Sequence, residues 1–236
     1  TYQLVQLRQK SIVRPSLRID WSILRELIRE ERTVVFTAFL GGVFTIFLQF
    51  FIDDLGIPTI AAFALFFLYQ DLLFIPIHAL RTPARNLSAE YYDKGGNEAL
   101  IKVINPIILL AILYSVLLIP VTRFLGPPLL MLFSHDPEVT IIGMRLVNLV
   151  SSYYIFYAVS TLLSSSLEGL GKKALTMNIN IGFNYFSRFL VLVLAAMLIQ
   201  GDESIAICYP VSWALGTAGL GVYYFASYSK SQKYSI

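Results

Sequence analysis

Two ionisable side chains stand inside an otherwise apolar run: in LFFLYQDLLFIPIHAL, Leu65 to Leu80, Asp71 and His78 are set among aliphatic and aromatic residues. Seven positions apart, they fall on nearly one face of a helix, two turns from each other. Pro76 has no N–H to bond back to Leu72, so a carbonyl is freed on the turn after Asp71. A carboxylate, an imidazole and a free carbonyl in file could relay a proton or hold a small cation. The same residues admit a structural use, in which Asp71 pairs with Arg188 or Arg145 and His78 sits among cytoplasmic headgroups. A carboxylate in a membrane helix costs roughly 2.5–3.5 kcal/mol on insertion scales, so either use needs a cavity or a partner.

A second polar stripe follows. Asn180, Asn184 and Arg188 recur at spacing four and so share one helical face. Turned to a cavity, they could bind an anionic group or a counter-charge; turned to a neighbouring helix, they would make interhelical hydrogen bonds. Tyr153, Tyr154 and Tyr157, with Ser160 and Ser164, give another segment an amphipathic side, suited to packing or to a binding surface.

These residues must be positioned by elements whose solvent is lipid. The chain is 56% hydrophobic and only 14% charged, with mean hydropathy +0.68, whereas soluble domains are about 45–50% apolar and about 25% charged. The net charge of +3 is too small to suggest nucleic acid, and no basic-aromatic groove appears. Cys208 is the only cysteine, which excludes a disulfide framework or a cysteine metal cluster within the sequence. The chain starts at Thr1 without a signal-peptide pattern, which leads us to expect a piece of something longer.

Six apolar runs are long enough to cross a bilayer as helices, near Val34–Ile52, Ile57–Leu80, Val103–Arg123, Val139–Ser165, Leu175–Ile199 and Ser204–Tyr228. The expected fold is an all-α membrane protein, a six-helix transmembrane bundle. Pro58 suits the start of the second helix, Asp136 should cap the fourth with Pro137 at its first position, and Leu167 to Lys173 reads as a turn whose two glycines adopt left-handed backbone. Pro76, Pro106, Pro120 and Pro210 are expected to kink their helices. Lys and Arg crowd one set of loops, from Arg8 to Arg32, Arg81 to Lys102, Lys172–Lys173 and Lys230–Lys233, while the opposite set is acidic except for Arg123. Both termini are therefore expected in the cytoplasm. Leu17, Trp21, Leu24 and Ile28 recur at helical spacing ahead of the first crossing, with Asp20 placed to start a helix lying in the interface. The expected organisation is a linker with this helix over 1–32, the bundle over 33–228 and a cytoplasmic tail over 229–236.

GIPTIAAFAL, NLSAEYYDKGGNEAL, LFSHDPEV leading into a crossing, SSSLEGLGKKALTMNI and YPVSWALG, in this order and spacing, resemble the second half of multidrug and toxic compound extrusion (MATE) transporters. The resemblance covers essentially the whole chain. It implies one six-helix lobe of a two-lobe transporter, residues 1–32 being the connection between lobes and 86–100 a loop. It also implies a second six-helix lobe as partner, the bilayer, a small-molecule substrate, and alternating access coupled to H+ or Na+, with no other cofactor. The site residues expected to bind ligand or ion are Asp71, His78, Gln49, Asn180, Asn184, Arg188 and Tyr157. Gln49 enters because the first crossing offers it where the family often has a carboxylate, and Ala89-Glu90 stand where the family usually has Gly-Gln.

No Gly-x-Ser-x-Gly turn and no His-Glu-x-x-His helix occurs, and His78 and His135 fall on opposite sides of the expected membrane, so no enzyme is expected. Two function classes follow. One is an antiporter of a plasma membrane exporting amphipathic or cationic compounds; the other is a transporter-derived scaffold subunit, with a flippase for lipid-linked substrates as a variant of the first.

Overall fold

The computed structural model describes residues 20–199 and 201–232, with some side chains between 23 and 34 and beyond 225 left out. Most of the expected linker and the tail residues 233–236 lie outside these. The chain divides into two units, Thr1–Phe36 and Thr37–Ile236.

In the first unit, Asp20 accepts hydrogen bonds from the Ser22 N–H (2.9 Å) and hydroxyl (2.5 Å), and α1, Trp21–Asp53, begins there. An N-terminal aspartate satisfies amides that a first helical turn leaves unpaired.

In the second unit every described element is helical. After α1 come α2 (Ile57–Met131), α3 (Pro137–Ser151), α4 (Tyr154–Gly169), α5 (Lys173–Asn180), a π-helical stretch (Ile181–Phe186), α6 (Ser187–Leu198), the short α7 (Asp202–Ala206) and α8 (Cys208–Gln232). The 75 residues of α2 would reach about 110 Å if straight, against a hydrocarbon core of about 30 Å. They do not run straight. Gly95 (φ −157°, ψ 20°) and Gly96 (φ 62°, ψ −148°) leave helical geometry, and the Tyr114 hydroxyl donates to the Leu73 carbonyl at 2.9 Å. In one straight helix those two residues would stand about 60 Å apart. The run is therefore two antiparallel crossings joined at a two-glycine tip. With α1, the bent pair α3–α4, α5 to α6 and α7–α8, all apolar and long enough to span, the bundle has six passes.

Two expectations need correction. The segment 86–100 is not a loop: the first arm runs helical past Pro83 up to Gly95 and the second resumes after Gly96, because nothing between Ala84 and Lys94 disfavours a helix strongly enough to stop it. The expected fourth crossing is broken at Ser152–Tyr153, where α3 and α4 meet at 56°. Short-range bonds from Tyr153 N–H to Val150 O and from Phe156 N–H to Tyr153 O, both 3.0 Å, replace the regular pattern there. Pro76, Pro106 and Pro120 lie within helical backbone angles, and the run is interrupted at Gly95 and Gly96.

Gly96 adopts a backbone region open essentially to glycine alone. Gly96→Ala is expected to cost about 1–3 kcal/mol by strain alone, since a Cβ there meets nothing within 4 Å. Thermal unfolding of the detergent-solubilised protein measures this, and an unchanged midpoint would contradict the tip geometry.

Small residues let α2 and α4 approach closely, the usual route to tight packing of membrane helices. Ser88 and Ser166, both fully buried, join hydroxyls at 2.7 Å. A Cβ on Gly169 would land on the Arg85 carbonyl oxygen and 3.1 Å from the Ser88 Cβ. The turn that follows is a Schellman closure, with Lys172 N–H to Leu167 O and Gly171 N–H to Glu168 O, each 3.0 Å. Only Gly171 takes left-handed backbone (φ 74°), so the two glycines of this turn serve different needs: one for handedness, the other for clearance. At the other end of the bundle, Asp136 caps α3 through Glu138 N–H at 2.9 Å, with Pro137 next to it as expected.

Candidate functional site

Several helices place a polar cleft inside this apolar bundle. The first arm of α2 carries Asp71, His78, Arg81 and Arg85 at spacings of seven, three and four, one stripe along a helix. Across from it α4 presents Tyr157, Ser160, Thr161, Ser164 and Glu168 at the same kind of spacing. Asn180, Asn184 and Arg188 come from α5, the π-helical stretch and α6, and Trp213 from α8. Together with Thr37 and Tyr185, ten of these side chains (Arg81, Tyr157, Ser160, Thr161, Ser164, Glu168, Asn180, Asn184, Arg188 and Trp213) line a cleft of ≈ 250 Å³. A second hollow of ≈ 240 Å³ adjoins it, lined by His78, Arg81, Thr82, Arg85, Ser165 and Glu168. Arg81 and Glu168 belong to both.

The sequence-expected residues fare differently. His78 Nε2 and the Tyr157 hydroxyl lie 2.7 Å apart, and either can supply the shared hydrogen according to the imidazole tautomer. Phe74 stacks on the Tyr157 ring at 4.0 Å and Trp213 packs 5.3 Å from it, so the phenol is held in place by aromatic walls. Of the three tyrosines, Tyr154 is core and Tyr153 is exposed; only Tyr157 reaches the cleft.

Asn184 donates to Asn180 (2.8 Å), which donates to Ser164 (3.2 Å). The Asn184 carbonyl oxygen is buried without a donor among the described residues, and it is turned toward Gly216 of α8, where the missing side chain leaves room for it. Residues four apart drift by about 40° per step on a regular α-helix. Wider π turns rotate less per residue, and the stretch Ile181–Phe186 thereby keeps Asn180, Asn184 and Arg188 on one wall.

Arg188 is half-buried. Its Nε donates to Ser212 at 3.0 Å, and its guanidinium lies 4.6 Å above the Tyr209 ring and 5.5 Å from that of Phe44. No carboxylate pairs with it among the described residues. Arg145 bonds Asp202 at 3.1 Å instead, so neither arginine is the partner of Asp71 that the structural alternative required. Asp71 is exposed and lies within electrostatic reach of His78, Tyr157 and Tyr209, although it is not part of the cleft lining. Gln49 stands apart from the others, bonded along its own helix to Asp53 at 2.5 Å.

Arg81, Arg85, Glu168 and Trp213 were not singled out by sequence as site residues. The signal for the arginines was present, since both continue the Asp71–His78 stripe, but a crossing ended at Leu80 cuts that stripe off.

Among the described residues no group of three His, Cys, Asp or Glu side chains is placed to hold a metal ion. The chemistry within reach is reversible: hydrogen-bond donation, proton exchange at His78–Tyr157, charge pairing by arginine, and aromatic contact by Tyr157 and Trp213.

No curated protein matches the chain. Among solved structures, a variant of the Vibrio cholerae MATE transporter VcmN superposes with a TM-score of 0.80 at 17% identity, over 97% of this chain and 52% of that one. At that identity the likeness speaks for the fold, and the chain spans about half the length of that transporter. The MatE family model matches residues 34–194, more than half of the chain, and the protein belongs to the MATE family of membrane transporters.

Proposed function

We propose that this chain is one lobe of a secondary transporter that exports amphipathic small molecules from the cytoplasm across a plasma membrane. It exchanges them for protons or sodium, working by alternating access against a second six-helix lobe. The observation that carries this reading is the polar cleft itself. Burying ionisable groups in a membrane bundle is costly and such groups normally face a pathway or a partner, and here His78, Tyr157, Asn184 and Arg188 converge on open volume. Loop charges put the Arg81 and Arg85 end at the cytoplasm. Repeat-related lobes with a site between them are the common architecture of such transporters.

The test is transport by the full transporter in proteoliposomes under an imposed proton or sodium gradient, with a fluorescent amphipathic dye as cargo. Gradient-dependent dye movement supports the reading, and a well-folded protein that moves dye under neither gradient defeats it in favour of a scaffold role. Asp71 supplies the sharper arm. It makes no ion pair or hydrogen bond among the described residues, so Asp71→Asn should leave stability within about 0.5 kcal/mol. If its charge belongs to the coupling path with His78, the same change should abolish gradient-driven export. Export at the unmodified rate would remove Asp71 from that path.

A further inference from the structure

The charges of the cleft are unbalanced. Arg81, Arg85 and Arg188 line the two adjoining hollows against one carboxylate, that of Glu168. Asp71 is the other anion near by, within electrostatic reach of His78 and outside the lining. Arg81 and Arg85 are four apart on one helix face, an arrangement in which like charges repel. Neither makes an ion pair or a side-chain hydrogen bond among the described residues. Enrichment of cytoplasmic ends in arginine accounts for basic residues at this level, but not for two of them opening into the same hollow as the Thr82 and Ser165 hydroxyls and His78. Nor does it account for Arg188, which stands farther along the cleft on a transmembrane helix. Its single bond to Ser212 uses Nε, and its outer guanidinium nitrogens have no hydrogen-bond partner among the described residues. Guanidinium pairs flanked by hydroxyls suit the planar or tetrahedral oxygens of carboxylate and phosphate.

We infer that this lobe binds the anionic head, phosphate or carboxylate, of an amphipathic molecule, with the head between Arg81 and Arg85. From there it can move inward along the cleft toward Arg188. The aromatic side chains of Tyr157 and Trp213 flank the path of its apolar tail. This deepens the transport reading and rests on it only for the direction of movement, because binding itself needs no gradient.

Two sources share this chemistry: an anionic lipid of the surrounding leaflet and a soluble amphipathic anion. The experiment is calorimetric titration of the purified full transporter in phosphatidylcholine nanodiscs with dodecyl phosphate, empty discs being subtracted. Dodecyltrimethylammonium, of equal chain length, is the charge control. Saturable binding of the phosphate, at least tenfold tighter than the ammonium, is expected. The double variant Arg81→Gln/Arg85→Gln should weaken it at least tenfold. Should that variant fail to fold, Arg81→Lys/Arg85→Lys keeps the charge without the planar fork and should weaken it at least threefold. Doping the discs with phosphatidylglycerol names the source: competition of tenfold or more assigns the site to lipid headgroups, and none assigns it to a soluble anion. Preference for the ammonium, or phosphate binding that the foldable variant leaves within twofold, overturns the inference. A transporter that binds dodecyl phosphate as described but moves no cargo would overturn the transport reading alone.

Discussion

Gly169→Ala is expected to destabilise the protein by about 3 kcal/mol, the upper end of what over-packing costs. The added methyl would occupy the place of the Arg85 carbonyl oxygen, which is main chain and cannot swing aside as a side chain would. Relief requires α4 and the first arm of α2 to separate, and that also opens the buried Ser88–Ser166 hydroxyl contact on the same seam. Gly42→Ala is the matched control, because a Cβ there meets nothing within 4 Å and Ala is the better helix former by roughly 0.5–1 kcal/mol. Thermal unfolding in one detergent should separate the two variants in opposite directions. Equal midpoints would mean that the helices do not touch at Gly169.

Arg188→Met is expected to have the opposite profile, with stability kept or raised and export lost by about 100-fold. The arginine stem fills space that methionine also fills, and the guanidinium is held by one hydroxyl and ring faces rather than by a carboxylate. A cation so placed in a membrane helix costs folding energy, which the apolar side chain does not. A charged hydrogen bond to cargo is worth up to about 3 kcal/mol, and each 1.4 kcal/mol is about tenfold. Parallel unfolding and flux measurements decide the matter. A variant that unfolds readily yet still exports would make Arg188 a structural residue.

Much of this architecture was legible in the sequence because bilayers impose simple rules. Apolar runs of about 20 residues mark crossings, and the placement of Asp136 and Pro137 at the start of α3 followed from capping chemistry alone. His78 and Tyr157 were both marked as site residues, but their contact was not, since it joins positions 79 residues apart and no periodicity reports on that. The bend between α3 and α4 carries no proline or glycine to announce it. Gln49 illustrates the converse: a polar residue in a crossing reads as functional, yet a carboxylate one turn away at Asp53 already accepts its hydrogen bond. Helix ends were misplaced wherever hydropathy ended before the helix did, and Arg81 and Arg85 went unmarked for that reason.

The π-helical stretch Ile181–Phe186 also bears on how this chain compares with others of its kind. A π turn holds one residue more than the α turn it replaces, so in an alignment the segment reads as a single-residue insertion. Taking that residue out along with the wide turn keeps the face, because seven regular steps of about 100° bring Arg188 to within about 20° of Asn180; straightening the turn with the residue kept would instead rotate every position from Ser187 onward by about 100°. For this helix, a gap of one residue between relatives records the loss of the wide turn, while the surface that faces the cleft and the length of the crossing hardly change.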